Sequence, residues 1–411
     1  MKILAIETSC DDTAVAVLEI TRGRFKILSN IISSQVKLHA KYGGVYPMLA
    51  KREHQRNLPI VLNKALRRAG FVNIKYQKGT SSFYETANTK KGPNIDLIAV
   101  TVGPGLEPCL WVGVNFANEL AKKLNLPIIP INHVEAHLVA NFVRSNFQFP
   151  ISNFQKIFPA IGLVVSGGHT QLILMKNFGE YKILGETRDD AAGECFDKTA
   201  RILGLGYPGG PAIAAEAARH KPKAISYKPS LPRPMIYHKN YDFSFSGLKT
   251  AVLYKVKGEG LKAKDKKYIQ AMCWEIQQAI IDVLIHKTLK VAKDFKAKSI
   301  ILGGGVAANK ELRKQFKNAI KKELPNTLYL IPDISFCTDN ALMIAATAYF
   351  HFLKKKPEVR KEMELPRPRR DGVSLRASSF GGSIPDGGAS GYSTAEMKAE
   401  ANLEIGQNVL K

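Results

Sequence analysis

The chain reads as an α/β protein of two duplicated lobes with a nucleotide cleft between them. Three observations predict this. First, an apolar strand, a tight polar turn and a second apolar strand occur twice: Lys2–Thr8, Ser9–Thr13 and Ala14–Ile20, then Ala160–Val165, Ser166–Thr170 and Gln171–Met175. Second, the strand Ile95–Val102, the turn Gly103–Gly105, the helix Leu110–Leu124 and the apolar run Leu126–Ile131 have the order of a βαβ unit, which implies parallel strands. Third, the strand Lys298–Leu302 runs into the glycines Gly303–Gly305 and then a helix from Lys310. That junction admits a flat ligand such as adenine against bare main chain.

The remaining elements follow in chain order. Arg24–Ser33 continues the first hairpin as a third strand. The segment with Lys51, Arg52, His54, Arg56, Lys64, Arg67 and Arg68 reads as a helix with a basic face and with Leu49, Leu62 and Leu66 on the other side. That face is either an RNA-facing surface or an ordinary solvated one. Gln77–Asn94 is polar and reads as a loop. Asp197 projects from a helix before the Gly/Pro turn Gly206–Pro211, a layout suited to placing a ribose or phosphate beside backbone. Tyr268–Phe295 keeps helical apolar spacing and is core. Leu328–Ile331 is a strand, and Cys337–Asn340 caps the apolar helix Ala341–Phe352. Pro366–Thr394 has too little apolar content to pack and is expected to be mobile, with order resuming at Met397–Ile405. The domain reading is 1–150, 151–355 and a basic tail 356–411.

Composition narrows the class. A chain of 411 residues with 45% apolar content fills sizeable cores. No apolar run reaches the roughly 20 residues that span a bilayer and no signal peptide opens the chain, so a cytosolic protein without membrane contact is expected. Five scattered cysteines with no Cys-x-x-Cys pair suit reduced thiols. The balance of 60 basic against 35 acidic residues, net +25, attracts polyanions, nucleic acid first among them. A generally basic proteome is the plainer explanation.

Chemistry concentrates at Ile131–Ala140. Asn132 is a suitable N-cap for a helix on which His133 and His137, four apart, leave the same face and can share a metal ion. Asp339, at the start of a later helix, is the expected third ligand; the plainer reading is an N-cap carboxylate. Glu135 falls at N3, where a capping box with Asn132 accounts for it better than a hydrolytic role.

Taken together, Glu7–Thr13, Asn132–His137, Val165–Thr170, Asp189–Lys198, Tyr207–Pro211, Phe245–Thr250, Gly303–Asn309 and Cys337–Asn340 resemble, in order from Met1 to about Phe352, the TsaD (Gcp/YgjD) family. The fold implied is the actin/Hsp70/sugar-kinase-like (ASKHA) α/β fold, in agreement with the duplicated hairpins. The activity implied is transfer of the threonylcarbamoyl group from threonylcarbamoyl-AMP to N6 of adenosine 37 in tRNAs reading ANN codons. The resemblance also implies one divalent metal, iron or alternatively zinc, at His133, His137 and Asp339. Substrate contacts are implied at Val164, Val165, Ser166, Gly167, Gly168, Asp197, Gly210 and Asn309. Asp11 is implied as a catalytic residue, acting as a base or orienting the acyl group. The implied partners are tRNA and, in a bacterial-type system, a TsaB-like paralogue and a TsaE-like ATPase; archaeal members sit in a different assembly.

Three departures stand out. Ala214 replaces an acidic or hydroxyl residue, Gln77–Asn94 is long, and Pro366–Thr394 looks inserted before a closing strand near 397–405, as a basic arm for tRNA or as a spacer. Two rival functions share the fold or an older family label: an ATP-dependent small-molecule kinase, which would not need the His pair, and a metalloprotease, which would need Glu135 poised on a metal-activated water.

Overall fold

A computed structural model of the chain describes residues 1–21, 23–71, 74–76, 83–85, 94–143, 156–220, 229–260, 265–355 and 399–406. Its framework is one topology built twice. In the first sheet β1 (Lys2–Glu7), β2 (Asp12–Thr21) and β3 (Arg24–Ser34) form an antiparallel meander. β6 (Leu97–Gly103) pairs parallel to β1, and β7 (Ile128–Asn132) parallel to β6, giving the order β3-β2-β1-β6-β7. The second sheet repeats it with β8 (Ala160–Val165), β9 (Thr170–Asn177), β10 (Glu180–Glu186), β11 (Ser299–Gly303) and β12 (Leu328–Leu330) in the order β10-β9-β8-β11-β12. The pairing senses match as well: antiparallel on the meander side, parallel on the other. The third strand of the second meander, β10, has no counterpart in the sequence reading, because its burial alternates weakly and carries little apolar signal.

The apolar faces dictate the layering. The short helix α1 (Val36–His39) follows β3. Helices α2 (Pro47–Arg68) and α3 (Glu107–Leu124) cover the outer face of the first sheet, with Leu58, Leu62, Val114 and Leu120 against Leu4, Ile6, Ile98 and Val100. Helices α5 (Ala192–Ile202), α6 (Gly209–Arg219), α7 (Ser246–Glu259), α8 (Lys266–Asp294) and α9 (Lys310–Glu323) cover the outer face of the second. Between the sheets lie α4 (His133–Val139) and α10 (Ala341–Lys355), in a core that draws on the inner faces of both. Central strands buried on both faces explain the near-continuous apolar runs of β1, β6 and β8. Gly162 and Gly303 admit α4: a Cβ at Gly162 would stand 2.6 Å from Leu138 Cδ2, and one at Gly303 would stand 2.7 Å from the carbonyl oxygen of His137.

Four expectations are corrected. Within Gln77–Asn94, Phe83–Glu85 forms a strand, β5, paired antiparallel with β4 (Ile74–Tyr76); 77–82 and 86–93 lie outside the described residues. His54 is no part of a basic face, because α2 turns it inward: it is fully buried, with its Nδ1 2.8 Å from Thr13 Oγ1 and its Nε2 2.8 Å from the Cys10 carbonyl. The closing segment is not a strand. Residues 399–406 run irregularly across the end of β6, with Glu400 N donating to Val102 O (2.7 Å), Gly105 N to Ala401 O (3.0 Å) and Asn132 Nδ2 to Leu403 O (3.2 Å). Such isolated bonds around a turn do not propagate a ladder. Glu135 makes no capping box, for the reason given below. The tail expectation for Pro366–Thr394 falls outside the described residues.

Candidate metal centre and nucleotide cleft

β7 ends at Asn132, whose Oδ1 accepts from Glu135 N (3.1 Å) and so starts α4 at His133. One turn separates His133 from His137, and their Nε2 atoms lie 3.1 Å apart. Asp339 meets them from the other half of the chain, its Oδ1 3.4 Å from His133 Nε2 and 3.3 Å from His137 Nε2. Asp339 is available because Asn340 takes the capping duty, accepting from Met343 N at 3.2 Å. The plainer reading of Asp339 as the cap is therefore replaced.

The donor set suits a metal ion. Nitrogen ligands at 2.0–2.1 Å around a tetrahedral ion are spaced by about 3.3 Å, and the three observed separations bracket that value. His133 Nδ1 faces Glu7 Oε2 at 3.1 Å and Ser9 Oγ at 3.2 Å, the carboxylate–imidazole arrangement that orients a ligating ring. Charge points the same way: the buried carboxylate of Glu7 and the half-buried one of Asp339 are balanced by one divalent cation with neutral imidazoles, whereas a single imidazolium balances only one. Without an ion, burial would discharge His133, but Asp339 and Glu7 outweigh it and push its pKa up to about 10. Burial would raise Asp339, but the two imidazoles hold it well below the usual carboxylate range, and His133 does the same for Glu7. Burial and the charge on His133 lower His137.

Glu7 is the residue that the motif reading left without a role. It is fully buried and also accepts from Ser9 N (2.5 Å) and Thr101 Oγ1 (2.5 Å). Its signal was present, since a carboxylate at the end of an apolar strand beside a turn is costly unless it has partners. Three more groups belong to this neighbourhood. Asp11 is raised by burial and by the charge of Asp339, and Asp12 is pushed up to about 7 by the same two causes. His169 is lowered to about 4 by burial and then by His133 and His137.

Glu135 faces elsewhere. Its carboxylate accepts from Tyr181 Oη (2.7 Å) and meets His351 Nε2 at 2.9 Å, so it is neither turned back on the Asn132 amide nor placed among the His133, His137 and Asp339 donors. A protease base is thus not what α4 offers.

The second hairpin supplies open backbone. Val164 and Val165 are wholly buried in β8, side chain and main chain alike, and back the turn rather than face the cleft. Ser166 Oγ accepts from Gly168 N (3.3 Å) and His169 N (3.0 Å), which tightens the turn. Gly167 and Gly168 stand exposed, with nothing within 4 Å of where a Cβ would be. Gly193, in α5, packs on this turn, a Cβ there lying 2.5 Å from Ser166 O, and Gly304 (φ 90°) packs on Val165, 2.4 Å from its carbonyl oxygen. Asp197 Oδ1 accepts from Gly209 N at 2.7 Å, fixing the start of α6 beside Gly210. Asn309 caps α9 through Glu311 N and Leu312 N (3.0 Å each) and donates to Gln277 Oε1 (2.8 Å). Its side chain is thus already used to aim a helix N-terminus.

The family profile and the curated relatives agree on one family. The TsaD family profile, described as tRNA N6-adenosine threonylcarbamoyltransferase, matches residues 26–77 and 81–346. Curated relatives of that name include one from Thermosipho melanesiensis, 47% identical over 85% of this chain and 94% of its own, and one from Persephonella marina, 43% identical over 86% and 90%. Among solved structures, HypF from T. kodakarensis superposes with a TM-score of 0.52 at 14% identity, over 89% of this chain and 49% of that one, a likeness of fold.

Proposed function

Because the chain belongs to the TsaD family, the tRNA N6-adenosine threonylcarbamoyltransferases, we propose that it moves the threonylcarbamoyl group from threonylcarbamoyl-AMP to N6 of adenosine 37 in tRNAs reading ANN codons. The observation that carries this reading at the level of residues is the convergence of His133, His137 and Asp339 beside the open turn Ser166–Gly168. An exocyclic adenine amine is a weak nucleophile, so the acyl group arrives as a mixed anhydride, whose leaving group is AMP. The N6 nitrogen attacks the carbamoyl carbon, the carbon–oxygen bond to phosphate breaks, AMP departs and N6 loses a proton.

In this reading His133, His137 and Asp339 would hold one divalent ion, iron or alternatively zinc, which would supply Lewis-acid charge at the cleft. Glu7 and Ser9 orient the His133 ring. The main chain of Ser166–Gly168, backed by the buried Val164 and Val165, and the helix N-termini behind Asn309 and Gly210 receive the adenylate, with Asp197 holding the Gly209–Gly210 turn. Asp11 accepts the N6 proton; burial beside Asp339 raises its pKa and makes the carboxylate a stronger base. A kinase or protease reading leaves the ligand triad or the buried engagement of Glu135 without a purpose. The reaction runs in the cytoplasm with a TsaB-like paralogue and a TsaE-like ATPase; among the described residues no helix is long and apolar enough to cross a membrane.

The test is incubation of the chain with those partners, threonylcarbamoyl-AMP and unmodified tRNA, followed by nucleoside mass analysis. A threonylcarbamoyl adenosine that disappears with His137→Ala and Asp11→Asn is expected. No such nucleoside, where a characterised relative makes it, removes the assignment.

A further inference from the structure

Glu135 lies midway between His133 and His137, and two residues advance about 200° around an α-helix, so it leaves α4 on the side away from the ligand atoms. There Glu135 is 4% exposed and both its carboxylate oxygens are engaged: Tyr181 Oη of β10 donates to Oε1 at 2.7 Å, and His351 Nε2 of α10 stands 2.9 Å from both oxygens. The helix that bears His351 begins directly after Asp339, with Asn340 as its cap. The contact therefore joins the helix that carries two of the ligands to the helix that starts just after the third, on the face of α4 turned from the ligand atoms. Around it the packing is apolar, with Val134, Leu138, Leu342 and Ala346 in one cluster. Apolar packing sets how close two helices come, but it leaves their rotation and slide loosely determined, whereas a buried carboxylate must keep its partners in line.

We propose that Glu135, gripped by Tyr181 and His351, is a positioning residue that sets the distance between the His133–His137 pair and Asp339. The inference rests on the reading of that triad as a metal site. It concerns a different contact from Glu7 and Ser9, which orient one ring but do not couple α4 to α10.

The test is titration of the metal-free full-length protein with Co²⁺, reading both the dissociation constant and the visible absorption band, alongside thermal melts. Glu135→Leu and His351→Ala are expected to weaken Co²⁺ binding about 10- to 100-fold and to change the band shape. His351→Gln, whose amide still donates to Glu135, and Glu135→Gln, which still accepts from it, restore most of the affinity. Ile213→Val, in the outer core of the second sheet, lowers the melting temperature without touching Co²⁺ binding. The proposal is overturned if Glu135→Leu and His351→Ala bind Co²⁺ as the parent does with the same band. It is equally overturned if Ile213→Val, at a matched loss of melting temperature, weakens binding as much. Should Glu135→Leu fail to fold, His351→Ala with its Gln rescue decides. A parent that binds no Co²⁺, or binds it unchanged as Asp339→Asn, overturns the metal reading itself, an outcome separate from failure of the clamp.

Discussion

Asp339 and Asn340 divide two duties that one residue seemed able to carry: the amide caps α10, and the carboxylate turns to the imidazoles. Replacing Asp339 by Asn keeps volume and removes charge, so loss of stoichiometric metal with little change in melting temperature is expected, read by elemental analysis of purified protein. Glu7→Gln keeps the side-chain volume but removes the charge behind His133 and turns one accepting oxygen into a donor, and a 10- to 100-fold fall in metal affinity is expected. His54 makes a separate case. Its Nε2–H donates to the Cys10 carbonyl and its Nδ1 accepts from Thr13, a neutral tautomer locked by two partners. Burial holds its pKa below 6.5 against the pull of the Cys10 carbonyl. Above pH 6.5 neither state takes a proton there; as the pH falls through 6.5 the unfolded chain binds one that the fold refuses, and stability is lost. Urea midpoints between pH 7.5 and 5.5 should therefore fall less steeply in His54→Gln than in the parent. Deleting both bonds in His54→Ala costs about 1–3 kcal/mol for each partner left unsatisfied.

At the scale of elements, α4 is the piece on which the rest depends. It is only seven residues long, too short to be stable on its own, and is held by its Asn132 cap, by Gly162 and Gly303 beneath it and by Glu135 behind it. Gly303→Ala would drive a methyl group into the His137 carbonyl, so a displaced α4 and weakened metal binding are expected, measured by the same Co²⁺ titration. The closing segment secures the other end. Leu403 is 3% exposed and its carbonyl accepts from the Asn132 side chain, the same residue that caps α4. Leu403→Ala should cost about 2–5 kcal/mol in urea denaturation. A strand is expected here from the resemblance of residues 399–405 to the family's closing strand, but the partner this segment meets is the Gly103–Gly105 turn, which offers no ladder to extend.

Across the whole molecule, the duplicated meander-plus-βαβ sheets bring two loops, Glu7–Thr13 and Val165–Thr170, to corresponding ends of matching strands. Contacts cross between the halves: Arg201, on α5, donates to the Gly43 carbonyl, and Asp339 reaches α4. The excess of 60 basic over 35 acidic residues supplies a long-range field for a tRNA partner. Binding measured between 50 and 200 mM salt should then fall linearly on a log–log plot, with a slope set by the number of phosphates neutralised. A flat dependence would assign the charge to solubility instead.

What the sequence determined by itself is whatever depends on local pattern. The paired hairpins, the βαβ order, the Asn132 cap and the His133–His137 spacing follow from periodicity and turn chemistry, and all are in the fold. Burial and pairing between distant segments were decided only by the tertiary structure. His54 looked like one charge in a basic run until α2 packed it under the first turn. Glu135 looked like a capping partner until β10 and α10 supplied a tyrosine and a histidine. Asp339 met the imidazoles only because Asn340 released it from capping. Each outcome turns on which distant group fills the space beside a polar atom, and a side chain's spacing along its own helix carries no information about that.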